Sequence, residues 1–396
     1  MRDRLSGLDG IRGLAALFVV LHHTYLRSFP GYPAATGPLW TGWLIYGRFA
    51  VVLFIVLSGF CLAASPASHG WRLDGLGRYA SHRAWRILPP YWAALVFSLL
   101  IAWLVVPQPG LPAPDARSAA VHGLLVQNLF TATSPNRALW SIAIEVQLYL
   151  ALPVLLLLVR WSGALAMLGA VALVMLGFGA FSSPVFLANA APDLGGLFAM
   201  GVVAAGIVAA SERVRALPWH WLALAAAAPV LAVIAWQGSV WTLNNTFWID
   251  LALGPAIGCL LAAVVTDKPP ALVRALESRP LRSLGSFSYS LYLTHAPIII
   301  AVYYGLLEGH VAPGVPAFAV MVAIAVPLTV GFARLFAGVF ELPFQRHRGR
   351  AAFRDMLPRR RRRPDARPRP TESGSRPGPP DERDVEGVGA APGLGG

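Results

Sequence analysis

An arginine and a histidine eleven positions apart are the first groups in the chain that could act together. Arg12 and His23 lie in the run L-D-G-I-R-G-L-A-A-L-F-V-V-L-H-H. An α-helix turns about 100° per residue, so eleven positions make close to three whole turns and put both side chains on one face, about 16 Å apart along the axis. His22 is rotated away from that face by about 80°. One face thus carries a permanent cation and, three turns on, a base that titrates near neutrality. Taken singly, Arg12 could snorkel to lipid headgroups and His23 could sit at the opposite interface. The pair in register points instead to a reaction site.

Three further groups have chemistry-bearing spacing. Glu145 stands in R-A-L-W-S-I-A-I-E-V-Q-L-Y-L, with Ser141 and Tyr149 four residues to either side on about the same helix face. A carboxylate in an apolar run needs a cation or a proton, and Arg12 is the expected partner. The alternative is a protonated Glu145 that only joins helices. Arg83 and Arg86, in R-Y-A-S-H-R-A-W-R-I-L-P-P-Y-W, are three apart on a helical turn expected to end at Pro89. Two guanidiniums on one face suit a phosphate or pyrophosphate, although basic residues also simply anchor membrane loops. His295 follows Ser288, Tyr289 and Tyr292 in G-S-F-S-Y-S-L-Y-L-T-H-A-P, and could either serve a substrate or bond a neighbouring helix. Arg334 and Glu341 are expected to cap or pair at the inner interface. No Walker loop, G-x-G-x-x-G, H-E-x-x-H or G-x-S-x-G is found, and Cys61 and Cys259 both lie in apolar runs. Nucleotide hydrolysis, a metal site and a disulfide framework are therefore not expected.

These groups sit in an apolar chain. Of its 396 residues 56% are hydrophobic and only 13% charged, and the mean hydropathy is +0.59. So few charges cannot cover a soluble surface, which excludes a cytosolic enzyme or a secreted disulfide scaffold. Apolar runs of spanning length are expected at about 8–26, 40–64, 87–106, 138–160, 163–182, 193–210, 219–236, 248–266, 284–307 and 317–341. Backbone in lipid must satisfy its own hydrogen bonds, so the runs read as helices. The expected fold is all-α, a polytopic bundle of about ten transmembrane helices with both termini cytoplasmic. Stretch 118–137 is too short to cross and reads as re-entrant or interfacial.

Charge supports that topology. Lys and Arg number 32 against 19 acids, a net of +13. Expected inner loops hold Arg72, Arg78, Arg83, Arg86, Arg160, Arg213, Arg215, Lys268, Arg274, Arg279 and Arg282, while expected outer loops hold only Arg27, Arg117 and Arg137. The first run follows Arg2 and Arg4 but lacks a clear cleavage site, and reads as a retained helix. A membrane domain over 1–346 is expected, followed by an Arg/Pro/Gly-rich disordered cytoplasmic tail, 347–396, whose Arg359–Arg363 run suits anionic lipid. The basic charge is read as topological, with no nucleic-acid partner.

Several separated motifs, in order, resemble the membrane acyltransferase-3 family over about residues 5–346. They are L-D-G-x-R-G-L-A-A with Arg12 and His23; L-F-x-V-L-S-G-F at Leu53–Phe60; and R-x-x-R-I-x-P-x-Y at Arg83, Arg86, Pro89 and Tyr91. W-S-x-x-x-E-x-Q-x-Y follows at Trp140, Ser141, Glu145, Gln147 and Tyr149, then S-Y-S-L-Y-L-x-H-x-P at Ser288–His295 and Pro297, and E-x-P at Glu341 and Pro343. Two departures are visible: Ala50-Val51-Val52 replaces the common G-V-D, and E-V-Q-L-Y replaces E-E-Q-F-Y. Some relatives add an SGNH-hydrolase domain. None is recognised in this sequence, so the membrane domain is expected to complete the transfer alone.

The resemblance implies transfer of an acyl group, usually acetyl, from acyl-CoA to a hydroxyl of a carbohydrate or glycosylated acceptor, an envelope polysaccharide or a natural product. His23 is the expected general base, or the carrier of an acyl-histidine intermediate. Arg12, held by Glu145, would orient the donor or stabilise developing negative charge, and Arg83 and Arg86 would hold the CoA phosphates. Ser141, Tyr149, Tyr292 and His295 are expected at the substrate. Acyl-CoA is a co-substrate rather than a resident cofactor. Abundant Ala, Arg, Gly and Pro with a single Lys suggest a GC-rich bacterial source, hence the bacterial inner membrane with lipid as surroundings. The competing reading is a polytopic transporter or lipid flippase, whose mark would be repeated halves with broken helices; no such repeat is found.

Overall fold

The computed structural model describes residues 7–105 and 112–346. Every regular element among the described residues is helical. The chain runs through α1 (Leu8–Ser28), α2 (Arg48–Ser68), α3 (Leu76–Leu100), α4 (Ala116–Gly123), α5 (Trp140–Ser162), α6 (Ala164–Phe181), α7 (Pro184–Ala190) and α8 (Asp193–Ala204). It continues through α9 (Glu212–Arg215), α10 (Trp219–Asn244), α11 (Thr246–Val265), α12 (Pro270–Leu276), α13 (Arg279–Ser286), α14 (Ser288–Val302), α15 (Val315–Phe340) and α16 (Leu342–Arg346).

Among the described residues eight helices are long and apolar enough to cross a membrane. They correspond to the expected runs from 40–64 to 317–341 apart from 193–210, which is a shorter apolar helix over Asp193–Ala209. The remaining expected run is α1, 21 residues long and carrying Asp9 and Arg12. This is a multi-pass membrane protein. The expected tail, its Arg359–Arg363 run, and Arg2 and Arg4 lie outside the described residues.

Three boundaries differ from expectation, each for a physical reason. The run 40–64 is broken at Gly47, and Leu39–Tyr46 forms a separate 3-10 helix. A Cβ at Gly47 would collide with the His22 ring, so the turn packs where only glycine fits. The third span starts at Leu76, well before residue 87, because Arg78, Arg83 and Arg86 lower its hydropathy without ending the helix. Pro89 and Pro90 lie inside it rather than terminating it, as membrane helices tolerate proline. The run 284–307 is cut at Phe287, which separates amphipathic α13 from α14.

Burial sorts the bundle into centre and rim. In their most apolar stretches α14 is 72% buried and α2 61%, against 11% for α6 and 17% for α10. The first pair is therefore the middle of the protein and the second faces lipid. Two crossings at the centre are backbone to backbone. A Cβ at Gly59 of α2 would strike the Phe198 carbonyl of α8, and one at Gly201 would strike the Val56 carbonyl of α2. Gly10 and Gly285 stand likewise against the Leu276 and Asp9 carbonyls, joining α1 to α12 and α13. Small residues let membrane helices approach closely, because dispersion rather than water exclusion holds them together. Gly201→Leu is therefore expected to abolish the folded protein. A fluorescent fusion should lose its monodisperse gel-filtration peak in detergent, whereas Gly169→Leu, at a position with open space around it, should keep it.

Stretch 118–137 packs on the bundle through buried Ser118, His122, Leu125 and Asn136, while Leu124, Leu129 and Phe130 stay exposed. α4 is capped by the Asp115 carboxylate, which accepts from the Ser118 backbone N–H at 2.7 Å and is thereby held below its usual ionisation range. The loop after α4 is tied down by side-chain amides. Gln127 donates to the Leu139 carbonyl at 2.9 Å, and Asn128 and Gln147 exchange hydrogen bonds at 3.1 and 2.9 Å. Fully buried Asn136 donates to the Leu293 carbonyl in α14 at 2.9 Å. Through these bonds the loop places the start of α5 deep against α14.

Candidate active site

Five helices, α1, α2, α3, α5 and α14, line a partly open cavity. Each contributes polar groups. Arg12 comes from α1, Ser58 and Cys61 from α2, and Arg83 and Arg86 from α3. Ser141, Glu145 and Tyr149 come from α5, and Tyr289 and Tyr292 from α14. Residues far apart in sequence, chosen only for type and spacing, thus share one space. Three guanidiniums give it a positive lining suited to an anionic ligand. Val51, Phe54, Ile55, Ile87 and Ile142 supply apolar wall.

Arg12 does not pair with Glu145 as expected. Its Nη1 donates to Asp9 Oδ1 at 2.8 Å and its Nη2 to Cys61 Sγ at 3.1 Å. Asp9 lies one turn earlier on the same face of the same helix, so the pair forms without crossing the cavity. Glu145 is held by hydroxyls instead. Its Oε1 accepts from Tyr149 at 2.6 Å and from Ser58 of α2. Ser141 is joined across the cavity to Tyr292, Oγ to phenol oxygen at 2.7 Å. The Ser141, Glu145 and Tyr149 spacing thus lands on one face as expected, but its partners are hydroxyls rather than a cation.

The two histidines lie outside the cavity lining and against each other. Their ring centroids are 4.7 Å apart, and His295 Nε2 is 3.3 Å from His23 Nδ1. Tyr292 connects them to the cavity, since it lines the space and its ring centre is 5.7 Å from that of His295. His22 points elsewhere, its Nδ1 2.7 Å from the Leu44 carbonyl. The base of α14 is fixed from below by Glu341. That buried carboxylate accepts from the Ser290 backbone N–H at 3.0 Å and from the Ser290 hydroxyl. It does not pair with Arg334, which donates to Ser283 at 3.0 Å.

A second buried cluster was not legible from motif spacing. Arg48, at the start of α2, donates from Nη2 to Asp193 at 2.9 Å and from Nε to Asp250. Its guanidinium carbon lies 5.2 Å from the Trp140 ring centre. Three helices and the start of α5 therefore meet at one cation. The signal was available as single charges in three separate apolar runs, an expensive placement unless they pair. Cys61 gave no such signal, being a small residue in an apolar helix, and Ser58 stood out only within the L-F-x-V-L-S-G-F motif.

Among the described residues, no group of His, Cys, Asp and Glu side chains is placed to hold a metal ion.

Comparisons with known proteins place this architecture. The O-acetyltransferase OatA of Staphylococcus aureus strain NCTC 8325 is 24% identical over 388 residues, covering 90% of this chain and 59% of that protein. A putative membrane-bound transacylase, BcsY of Komagataeibacter xylinus, is 25% identical over 352 residues, covering 82% of this chain and 81% of its own. The peptidoglycan O-acetyltransferase OatA of Listeria monocytogenes is 23% identical over 332 residues, covering 75% of this chain and 50% of that protein. The chain thus spans little more than half the length of the OatA relatives. No solved structure matches significantly. Residues 5–334 match the profile of an acyltransferase domain, the third acyltransferase family, and the ordered motifs from Arg12 to His295 lie within that match: the chain belongs to the acyltransferase-3 family.

Proposed function

We propose that the protein is an integral-membrane O-acyltransferase that moves an acyl group, acetyl in the simplest case, from acyl-CoA to a hydroxyl of an envelope carbohydrate. The observation that carries the reading is the single cavity. It gathers Arg12, Arg83 and Arg86 and reaches Tyr292, whose ring centre lies 5.7 Å from that of His295, the ring packed against His23. In this reading Arg83 and Arg86 hold the CoA phosphates from the cytoplasmic side, the pantetheine follows the wall past Arg12, and the thioester arrives near His23. His23 takes the acceptor's hydroxyl proton as its oxygen attacks the thioester carbonyl. The C–S bond breaks, and the proton passes to the leaving CoA thiolate. Arg12, about three helical turns from His23 on α1, orients the donor along the wall. The carbohydrate acceptor is supported by the S. aureus and L. monocytogenes relatives, whose names record O-acetyl transfer and, for Listeria, peptidoglycan. With α1 and the Asp193–Ala209 helix counted, ten spans keep both termini cytoplasmic in a bacterial cell membrane.

Cys61 provides a direct test of the donor site, because it lines the cavity while Cys259 lies on α11 away from it. In nanodiscs, acetyl-CoA should protect Cys61 from N-ethylmaleimide and leave Cys259 unchanged, as read by peptide mass spectrometry. The same preparation, given radiolabelled acetyl-CoA and muropeptides, should form base-labile acetyl ester on the sugar. Neither protection nor transfer by folded protein would turn the reading to a transporter.

A further inference from the structure

The hydrogen bonds around the two histidines restrict where their protons can be. His295 Nδ1 is 2.6 Å from the Tyr292 carbonyl oxygen. A carbonyl only accepts, so this nitrogen carries the proton, and in the neutral ring Nε2 carries the lone pair. That lone pair faces His23 Nδ1 at 3.3 Å. His23 Nδ1 is also 3.0 Å from the Val19 carbonyl oxygen one turn earlier. Two acceptors therefore converge on His23 Nδ1, which must be the donor. With its proton on Nε2 instead, His23 would turn a third lone pair toward the other two in a buried site, where an unmade hydrogen bond is costly. His22 does not alter the assignment. Its ring stands edge-on to His23, with centroids 4.9 Å apart, and its Nδ1 is engaged by Leu44 and Gly47.

We infer that His295 is a positioning residue that holds His23 in the tautomer with its proton on Nδ1 and its lone pair on Nε2, so that Nε2 is the atom that receives the acceptor hydroxyl's proton. His295 thus acts through His23 and not on the substrate, where the family resemblance leads one to expect it. Its second effect follows from the same contact. When Nε2 of His23 takes a proton, the ring becomes an imidazolium whose Nδ1–H is already met by two acceptors, Val19 and His295. A buried aspartate performs this service for histidine in hydrolase triads. Here a neutral imidazole and a backbone carbonyl do so, without adding a negative charge to the membrane interior.

The chemical step rests on the acyl-transfer reading above; the tautomer does not. Two measurements separate them. The first is solid-state NMR of protein labelled with ¹³C and ¹⁵N in its 9 histidines, reconstituted in lipid, with His23→Gln and His295→Gln used to assign their signals. The expected spectrum shows both residues neutral with the proton on Nδ1. A His23 signal with the proton on Nε2 overturns the inference whatever the protein catalyses. The second is kinetic. His295→Phe removes the acceptor and should lower kcat by roughly 10²-fold with KM for acetyl-CoA unchanged, as for loss of a base's orientation. His295→Gln keeps an oxygen that can accept from Nδ1–H and should stay within about 10-fold of wild type, the low end of effects on supporting hydrogen bonds. A folded phenylalanine variant with wild-type kcat overturns the positioning role. A wild-type protein with the expected tautomer but no acyl transfer overturns the acyl-transfer reading alone.

Discussion

His23→Ala should lose acyl transfer by about 10²–10⁴-fold, the range for removing a positioned acid–base group, while acetyl-CoA still shields Cys61 from alkylation. The separation of these outcomes follows from geometry. Cys61 and the three arginines line the cavity, whereas His23 lies beyond it against His295. Deleting the imidazole therefore removes the proton acceptor without touching the donor's phosphate contacts. His22, by contrast, packs on Gly47 and is left intact by this substitution. The measurement is single-turnover transfer of labelled acetyl to muropeptide beside maleimide protection on the same sample. Full transfer by the alanine variant would remove His23 from the chemistry, and simultaneous loss of protection would mean that the thioester end is held by His23 itself.

The double variant Arg83→Ala/Arg86→Ala should raise KM for acetyl-CoA by at least about 10²-fold and change kcat far less. A hydrogen bond to a charged group contributes about 1.5–3 kcal/mol, so losing even one per guanidinium reaches this size. Both arginines sit in α3 on the lining shared with Arg12, three residues apart on one helix face, where a phosphate group can meet both guanidiniums. A truncated donor sharpens the test. Acetyl-pantetheine carries the thioester without the CoA phosphates, so wild type and double variant should use it equally poorly. If the variant discriminated against acetyl-pantetheine as strongly as against acetyl-CoA, the two arginines would be acting on the fold of α3 rather than on phosphate.

The sequence showed the helices clearly because lipid leaves little choice: an apolar run of spanning length must be a helix. It also showed which polar residues share a face, since 100° per residue carries Ser141, Glu145 and Tyr149 to one side of α5. It did not show what those faces meet. Spacing pairs Glu145 with the nearest plausible cation, but the carboxylate is satisfied by Ser58 and Tyr149. A serine in an apolar helix gives no sign that it faces a carboxylate. Arg12 was intercepted by Asp9 within its own helix, a local pairing that outcompetes a longer reach across a cavity. The start of α3 was hidden by its arginines, whose long stems stay with the helix while their charge lowers its hydropathy. The meeting of His23 and His295 depends on how α1 and α14 cross, and no periodicity within either helix encodes that crossing.

The cluster of Arg48, Asp193 and Asp250 has a consequence for how the chain is made. Its members belong to α2, α8 and α11 and so leave the ribosome in that order. Until α8 arrives, α2 carries a guanidinium with no countercharge, and α8 in turn brings a buried carboxylate that needs that guanidinium. Once α11 follows, one arginine serves two acids, and α2, α8 and α11 are locked around it. A chain arrested before residue 250 therefore lacks one member of the lock. Completion of synthesis and closure of the bundle's centre are thereby joined at one side chain, and a nascent chain that stops early keeps a polar, unfinished helix face for the membrane's quality control to recognise.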